Sequence, residues 1–393
     1  MATIKLGVET LMEERRDLLR GRRVGLVSNY TMTDSVLRTV IDLLTADGAW
    51  RVERLFGPEH GVKNSAREGE HVLTETDGHT GLPAYSLYGE SKRPAQEVIE
   101  NLDALVIDLQ DIGCRYYTNM NTVANCMDAA AQAGISCVVL DRPNPLGGVA
   151  REGNILQDAY RSFVGGHAIP IRHGLTMGEL ARLFRRTIPD CDLTVVPMQG
   201  WRREMLYPAT GLPFVPPSPN TTGFPMVFLY PGTCLFEGTN LSVGRGTTHP
   251  FEVIGAPFVD GHALAAWFNA QGVSGVVARP VYFTPHYSQY SGELCQGVQL
   301  HLVDPLATEA MRPGLTLLQG VAQLYPEQLI FSGEMRDGRP FFDLLAGTGA
   351  LRNMVRSGRA VDFLSDHRAD VERFAQDVED ILFYRGDGAG NVG

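Results

Sequence analysis

Four apolar runs of five to seven residues punctuate the first part of the chain, at 23–29, 52–56, 104–109 and 136–140. Runs of that length, bounded by Gly, Pro, Asn or Asp, predict buried β-strands. Between them the apolar positions change to helical spacing. In 31–44 they fall at Val36, Leu37, Val40, Ile41 and Leu44, which predicts a helix. A short helix is expected at 94–101, and another at 118–132, stopped by Gly134 as C-cap. An amphipathic helix at 5–19 precedes the first strand. Strands alternating with helices, with runs apolar on both faces, predict a parallel, doubly wound sheet.

The second half follows a different pattern. Thr176 and Glu179 form a capping box that starts a helix over 176–188. A strand is expected at 193–197. Residues 208–231 are dense in Pro and Gly and predict an ordered but irregular loop. Residues 232–257 mix Gly, Thr, Asn and Arg and read as a ligand-binding surface. Further helices are expected at 261–270, 314–324 and 370–383, and strands at 276–283 and 298–303. This irregular mixture predicts an α+β domain over 151–393, packed on an α/β domain over 1–150. The polar stretch 63–88 is too long for a simple connection and predicts a flap or a small insertion.

The strand ends carry the candidate chemistry. The second strand runs into Gly57-Pro58-Glu59-His60-Gly61, which leaves Glu59 and His60 on a tight loop. Ligands of open α/β sheets bind beyond the carboxyl ends of the strands. A glutamate desolvated there can hold a proton near neutral pH, as general acid catalysis requires. The third strand ends in Asp108, Gln110, Asp111, Arg115 and Tyr116, close to the N-terminus of the next helix, which favours an anion. The fourth ends in Asp141-Arg142-Pro143-Asn144-Pro145, where Arg142 and Asn144 offer donors. Arg172 and His173 precede the 176–188 helix. Glu237, Asn240 and Arg245 stand in a glycine-rich polar cluster whose mixture of donors and acceptors suits a carbohydrate. The rival reading is structural throughout: Asp108 or Asp111 tethers Arg115, Asp141 pairs with Arg142, and His173 is a satisfied loop histidine.

Composition narrows the field. The 393 residues carry a net charge of −11, with 44% hydrophobic and 20% charged residues. This is a globular chain, and it lacks the basic balance that a nucleic-acid partner demands. Six cysteines include no Cys-x-x-Cys pair, so no structural zinc is expected. No apolar run is long enough to span a membrane, and the first residues lack the apolar core of an export signal. A cytoplasmic protein without membrane insertion is expected. The first strand exits through Ser28-Asn29-Tyr30-Thr31, without the glycines of a dinucleotide site. Neither a phosphate-binding Gly-x-x-x-x-Gly-Lys loop nor a Gly-x-Ser-x-Gly elbow is present. No cofactor and no metal are expected.

The series 56–61 (FGPEHG), 108–118 (DLQDIGCRYYT), 141–148 (DRPNPLGG), 170–180 (PIRHGLTMGEL) and 237–247 (EGTNLSVGRGT) resembles the exo-β-N-acetylmuramidases of peptidoglycan turnover. Each motif is modest alone; five in order are specific. The resemblance implies a Rossmann-like domain followed by a smaller domain, with the active site in the cleft between them. It implies release of N-acetylmuramic acid from the non-reducing end of cell-wall fragments; many members are exported, and the lack of an export signal here suggests a recycling or salvage role. It places the family's motif glutamate at Glu59.

Glycoside hydrolysis normally uses two carboxyl groups. Glu59 is the expected acid, and Glu237, Asp111 and Asp108 compete for the second place. The lactyl carboxylate of the sugar calls for a guanidinium, with Arg115, Arg142, Arg172 and Arg245 as candidates. Tyr116, Tyr117 and Tyr230 are candidates to stack on the ring. His60, Asn144, His173 and Asn240 complete the expected substrate contacts. Two other readings stay open: a non-catalytic muropeptide-binding protein, and a metal-dependent hydrolase using His60, Asp108, Asp111 and Asp141.

Overall fold

The computed structural model describes residues 4–66, 74–88, 92–331 and 338–385. Part of the expected flap, 67–73, lies outside the described residues.

The expected parallel sheet is present. It comprises β1 (Arg23–Val27), β2 (Arg51–Gly57), β3 (Glu75–Thr76), β4 (Pro83–Ser86), β5 (Ala104–Ile107), β6 (Ser136–Leu140) and β7 (Leu193–Val196). The order is β3-β4-β2-β1-β5-β6-β7, and every pairing is parallel except β3 with β4. Strand alternation sends Val24, Leu26, Ala104 and Val106 to one face. Val27, Leu105, Ile107 and Val139 go to the other. Helices α1 (Gly7–Glu14) and α2 (Val40–Ala46) cover the first face. Helices α3 (Gln96–Ile99), α4 (Asn119–Ala133) and α5 (Met177–Arg185) cover the second. Helix α4 ends as expected, with Gly134 left-handed at φ +67°. Helix α5 carries the expected capping box.

Three local expectations are corrected. The 31–44 segment is helical only from Val40, with Thr39 as N-cap. Asp34 overrides the apolar spacing upstream: its Oδ1 accepts from the backbone N–H groups of Val36 (3.0 Å) and Arg38 (2.8 Å). That turn puts Leu37 at φ +69°. The 208–231 stretch is not wholly a loop, because its end forms α6 (Phe224–Thr233). Pro225 lies in the first turn, where a missing N–H is harmless, and residues 226–233 are buried all round. The boundary expected at 150 cuts the sheet, since β7 hydrogen-bonds to β6.

The remainder holds a second sheet of β8 (Val253–Ala256), β9 (Val276–Phe283) and β10 (Cys295–Leu302), ordered β8-β10-β9 and antiparallel. Helices α7 (Gly261–Ala270) and α8 (Arg312–Leu324) pack with it. Helices α6 and α8 cross at Gly232 and Gly314; a Cβ on Gly314 would fall 2.2 Å from the Gly232 carbonyl carbon. This core also takes in Ile112, Cys114 and Tyr116 from the segment after β5, so the two units share packing.

Asp141, at the end of β6, closes the sheet onto the C-terminal segment. Its Oδ2 accepts from the Tyr384 hydroxyl (2.6 Å) and Thr176 (2.8 Å). Its Oδ1 accepts from the N–H groups of Gly178 (2.7 Å) and Arg142 (2.9 Å). Burial pushes this carboxyl up to about 7, opposed first by the Tyr384 hydroxyl. A folded value above the ordinary one gives a contribution that is complete in acid and is lost as pH rises through about 7. Tyr384→Phe removes a donor to the ionised form and raises the folded value further. It should cost about 1.5–3 kcal/mol at pH 8, the range for a hydrogen bond to a charged group, and less at pH 5. Urea midpoints at the two pH values measure this. Equal costs would exclude the assigned role of Tyr384.

Candidate active site

The loop after β2 is built by close approach. A Cβ on Gly57 would lie 2.4 Å from the Val62 nitrogen, so only glycine fits. Gly61, at φ +74°, donates its N–H to the Pro58 carbonyl at 2.8 Å. The returning chain accepts from Tyr30 N–H through the Val62 carbonyl at 2.9 Å. This turn leaves Glu59 and His60 half-buried beyond the carboxyl end of β2. The start of α4 meets them: Thr118 Oγ1 donates to Glu59 Oε2 at 2.7 Å. His60 Nδ1 lies 2.9 Å from the Ala66 carbonyl. A carbonyl only accepts, so Nδ1 carries the hydrogen.

Glu59 and His60 form one wall of a cavity between the two units. Tyr117, Thr118 and Asn119 continue that wall. Ser218, Asn220 and Thr221 face them, and Met226, Tyr230, Arg245 and Phe251 complete the lining. The rings of Tyr116, Tyr230 and Phe251 meet edge to face at 5.7 and 4.7 Å between centroids. Arg245 sits over Phe251 at 4.9 Å and donates from Nε to Glu237 at 2.7 Å. The other Glu237 oxygen accepts from the Cys234 thiol at 3.4 Å. Burial drives the hydroxyls of Tyr116, Tyr117 and Tyr230 well up, so they stay neutral. Nearby, the Lys92 ammonium lies 3.5 Å over the Phe163 ring, within the field of Glu59.

Six residues expected at the site reach the lining: Glu59, His60, Tyr116, Tyr117, Tyr230 and Arg245. Glu237 stands behind Arg245. The others are placed elsewhere by their own partners. Arg115 is fully buried and donates to the carbonyls of Asn154 (2.7 Å), Ile169 (2.8 Å) and Ala346 (2.8 Å). Buried Arg142 pairs with buried Asp108. Arg172 pairs with Glu152, whose carboxylate also accepts from the N–H groups of Ala310 and Met311. Asn144 donates to the Leu175 carbonyl and accepts from Leu146 N–H. Asn240 bonds the backbone of Gln328 and Ile330. Asp111 accepts from Gly113 N–H at 2.6 Å and faces His173 Nε2 at 3.1 Å, both side chains buried. These positions correct the expectation that they face substrate. Thr118, Asn119, Ser218, Asn220, Thr221 and Phe251 were missed. The short polar run at 218–222 inside a Pro-rich stretch was the one available signal.

The fold and the site define a Rossmann-like protein with a polar and aromatic pocket between its sheet domain and a smaller α+β domain. The comparisons assign the family. The model described as Exo-beta-N-acetylmuramidase NamZ, N-terminal, matches residues 24–224, and the corresponding C-terminal model matches 228–384. The chain belongs to the NamZ family of exo-β-N-acetylmuramidases. It is 42% identical over 383 residues to the peptidoglycan β-N-acetylmuramidase NamZ of Bacillus subtilis (strain 168), covering 97% of this chain and 91% of that one. Two crystal structures of DUF1343 family proteins from Bacteroides fragilis NCTC 9343 share the fold. One has a TM-score of 0.88 at 36% identity over 98% of this chain and 100% of its own. The other has 0.76 at 31%, over 98% and 99%.

Arg115→Met tests the division between structural and site arginines. It strands three buried carbonyls, each worth about 1–3 kcal/mol when left unpaired. The urea midpoint should fall sharply, with no change in preference between charged and uncharged sugars. A wild-type midpoint would refute the structural assignment.

Proposed function

We infer that the protein is an exo-acting glycoside hydrolase that releases N-acetylmuramic acid from the non-reducing end of peptidoglycan fragments. One observation carries this reading: a half-buried carboxyl, Glu59, and a guanidinium, Arg245, line a single pocket. The B. subtilis relative carries the same activity in its name.

The residues divide the work by chemistry. Glu59, oriented by Thr118, donates a proton to the glycosidic oxygen as the bond to the anomeric carbon breaks. Arg245, held from behind by Glu237, meets the lactyl carboxylate with a planar, permanently charged fork. The aromatic cluster beneath excludes water, which strengthens both interactions. Ser218, Asn220 and Thr221 supply short donors and acceptors for ring substituents. A helix N-terminus opens onto the cavity at Thr118 and Asn119 and favours negative charge. No described helix is long and apolar enough to cross a membrane.

Two mutants test the assignment. Glu59→Gln keeps the shape and removes the proton. The natural disaccharide should lose about a hundred- to ten-thousandfold in kcat, while an aryl glycoside with an acidic leaving group loses far less. Equal losses on both substrates would remove Glu59 from the acid role. Arg245→Gln should depress kcat/KM for the muramic substrate about ten- to a hundredfold more than for the N-acetylglucosaminide, the value of one charge-assisted hydrogen bond. A uniform loss would show that Arg245 does not read the carboxylate.

A further inference from the structure

The expected second carboxylate does not line the cavity. Glu59 is the one carboxylate among the described lining residues. Both oxygens of Glu237 are committed, one to Arg245 and one to the Cys234 thiol. Asp111 is buried against Gly113 and His173. Asp108 is buried against Arg142. The buried tyrosines hold their protons. Among the described lining residues, the remaining group able to accept a proton is His60.

The histidine's tautomer is set by its neighbour. Nδ1 points at the Ala66 carbonyl, 2.9 Å away, and must donate there. The neutral ring therefore presents Nε2 with a bare lone pair. A backbone contact fixes this tautomer much as the buried carboxylate of a catalytic triad does. His60 also follows Glu59 directly on a turn closed by the Gly61-to-Pro58 hydrogen bond, so both side chains are held by one rigid element.

We propose that His60 is the general base of a single-displacement reaction and that Glu59 and His60 together replace the usual carboxylate pair. This rests on the muramidase reading above. His60 Nε2 takes a proton from a water whose oxygen bonds to the anomeric carbon. Glu59 protonates the departing glycosidic oxygen as its bond to that carbon breaks. The sugar leaves as the α-anomer of N-acetylmuramic acid, and the alcohol carries the Glu59 proton. Solvent then returns a proton to Glu59 and removes one from His60. One water is consumed, and no covalent glycosyl-enzyme forms.

The first test uses the unmodified protein. NMR of freshly cleaved β-muraminide should show the α-anomer before mutarotation. A β-anomer as first product overturns the proposal and leaves the muramidase reading intact. No release of N-acetylmuramic acid at all overturns both. The second test is His60→Asn, whose amide reaches the Nδ1 position and preserves the contact with Ala66 but offers no base at Nε2. It should lower kcat about a hundred- to ten-thousandfold with little change in KM. The loss should be the same for natural and activated substrates, because a better leaving group does not replace a base. Azide, a nucleophile that needs no deprotonation, should restore turnover of an activated substrate and yield the α-glycosyl azide. Full activity in His60→Asn, or a loss confined to the poor leaving group, rejects the base.

Discussion

A buried cation holds the two halves of this molecule in register. Arg115 has no exposed surface, and its guanidinium is spent on backbone carbonyls of Asn154, Ile169 and Ala346, drawn from three distant parts of the chain. Desolvation lowers it to about 10, still charged at neutral pH. A charge taken out of water is tolerated only when most of its hydrogen-bonding capacity is refilled; here carbonyls take both terminal nitrogens, while the buried Nε has no partner. The arrangement cannot slip without stranding the cation. The next residues in sequence, Tyr116, Tyr117 and Thr118, enter the cavity directly from this anchor. The precision of the Thr118–Glu59 contact therefore depends on a residue that does not line the cavity.

The other motif arginines follow the same logic. Arg142 with Asp108 and Arg172 with Glu152 are buried pairs, and Glu152 also grips the start of the segment leading into α8. Breaking such a pair from one side leaves an uncompensated charge, which costs more than the pair itself contributes. The Arg172–Glu152 pair ties the sheet unit to the smaller domain, whereas Arg142 and Asp108 join the ends of β6 and β5 within the sheet unit. The cavity is then formed between elements that are already rigid: the β2 turn, the first turn of α4, and the α6 region with its aromatic cluster.

Within that frame the site uses few charged groups. Arg245 is positioned by an ion pair and an aromatic face together. Glu59 is positioned by a hydroxyl, and His60 by a carbonyl. Each functional group has a defined orienting partner, which reduces the entropy lost when substrate arrives. The dense Gly and Pro of the turn bearing Glu59 and His60 follow from its geometry: Gly57 and Gly61 are where the backbone must pass close to itself.

Several features of this protein were set by the chain itself. The strands at β2, β5 and β6, the helix stop at Gly134, the capping box of Thr176 and Glu179 and the tight turn bearing Glu59 depend on neighbours in sequence, so periodicity and capping rules reach them. Where a local side chain competed, those rules failed: Asp34 captured the backbone that Val36 and Leu37 marked as helix. The apolar faces of α6 were likewise hidden by its prolines, because burial all round removes the periodic signal. The family motifs located the site region without sorting its members. Arg115, Arg142, Arg172 and Arg245 are the same residue in equally polar motifs, and only burial and partners, contributed by segments as distant as Ala346, separate the last from the rest. Long-range packing also withdrew Asp108 and Asp111 from the cavity and left His60 beside Glu59. A side chain's chemistry is written in the sequence, but its dielectric environment and hydrogen-bond partner come from residues that only the tertiary fold brings within reach.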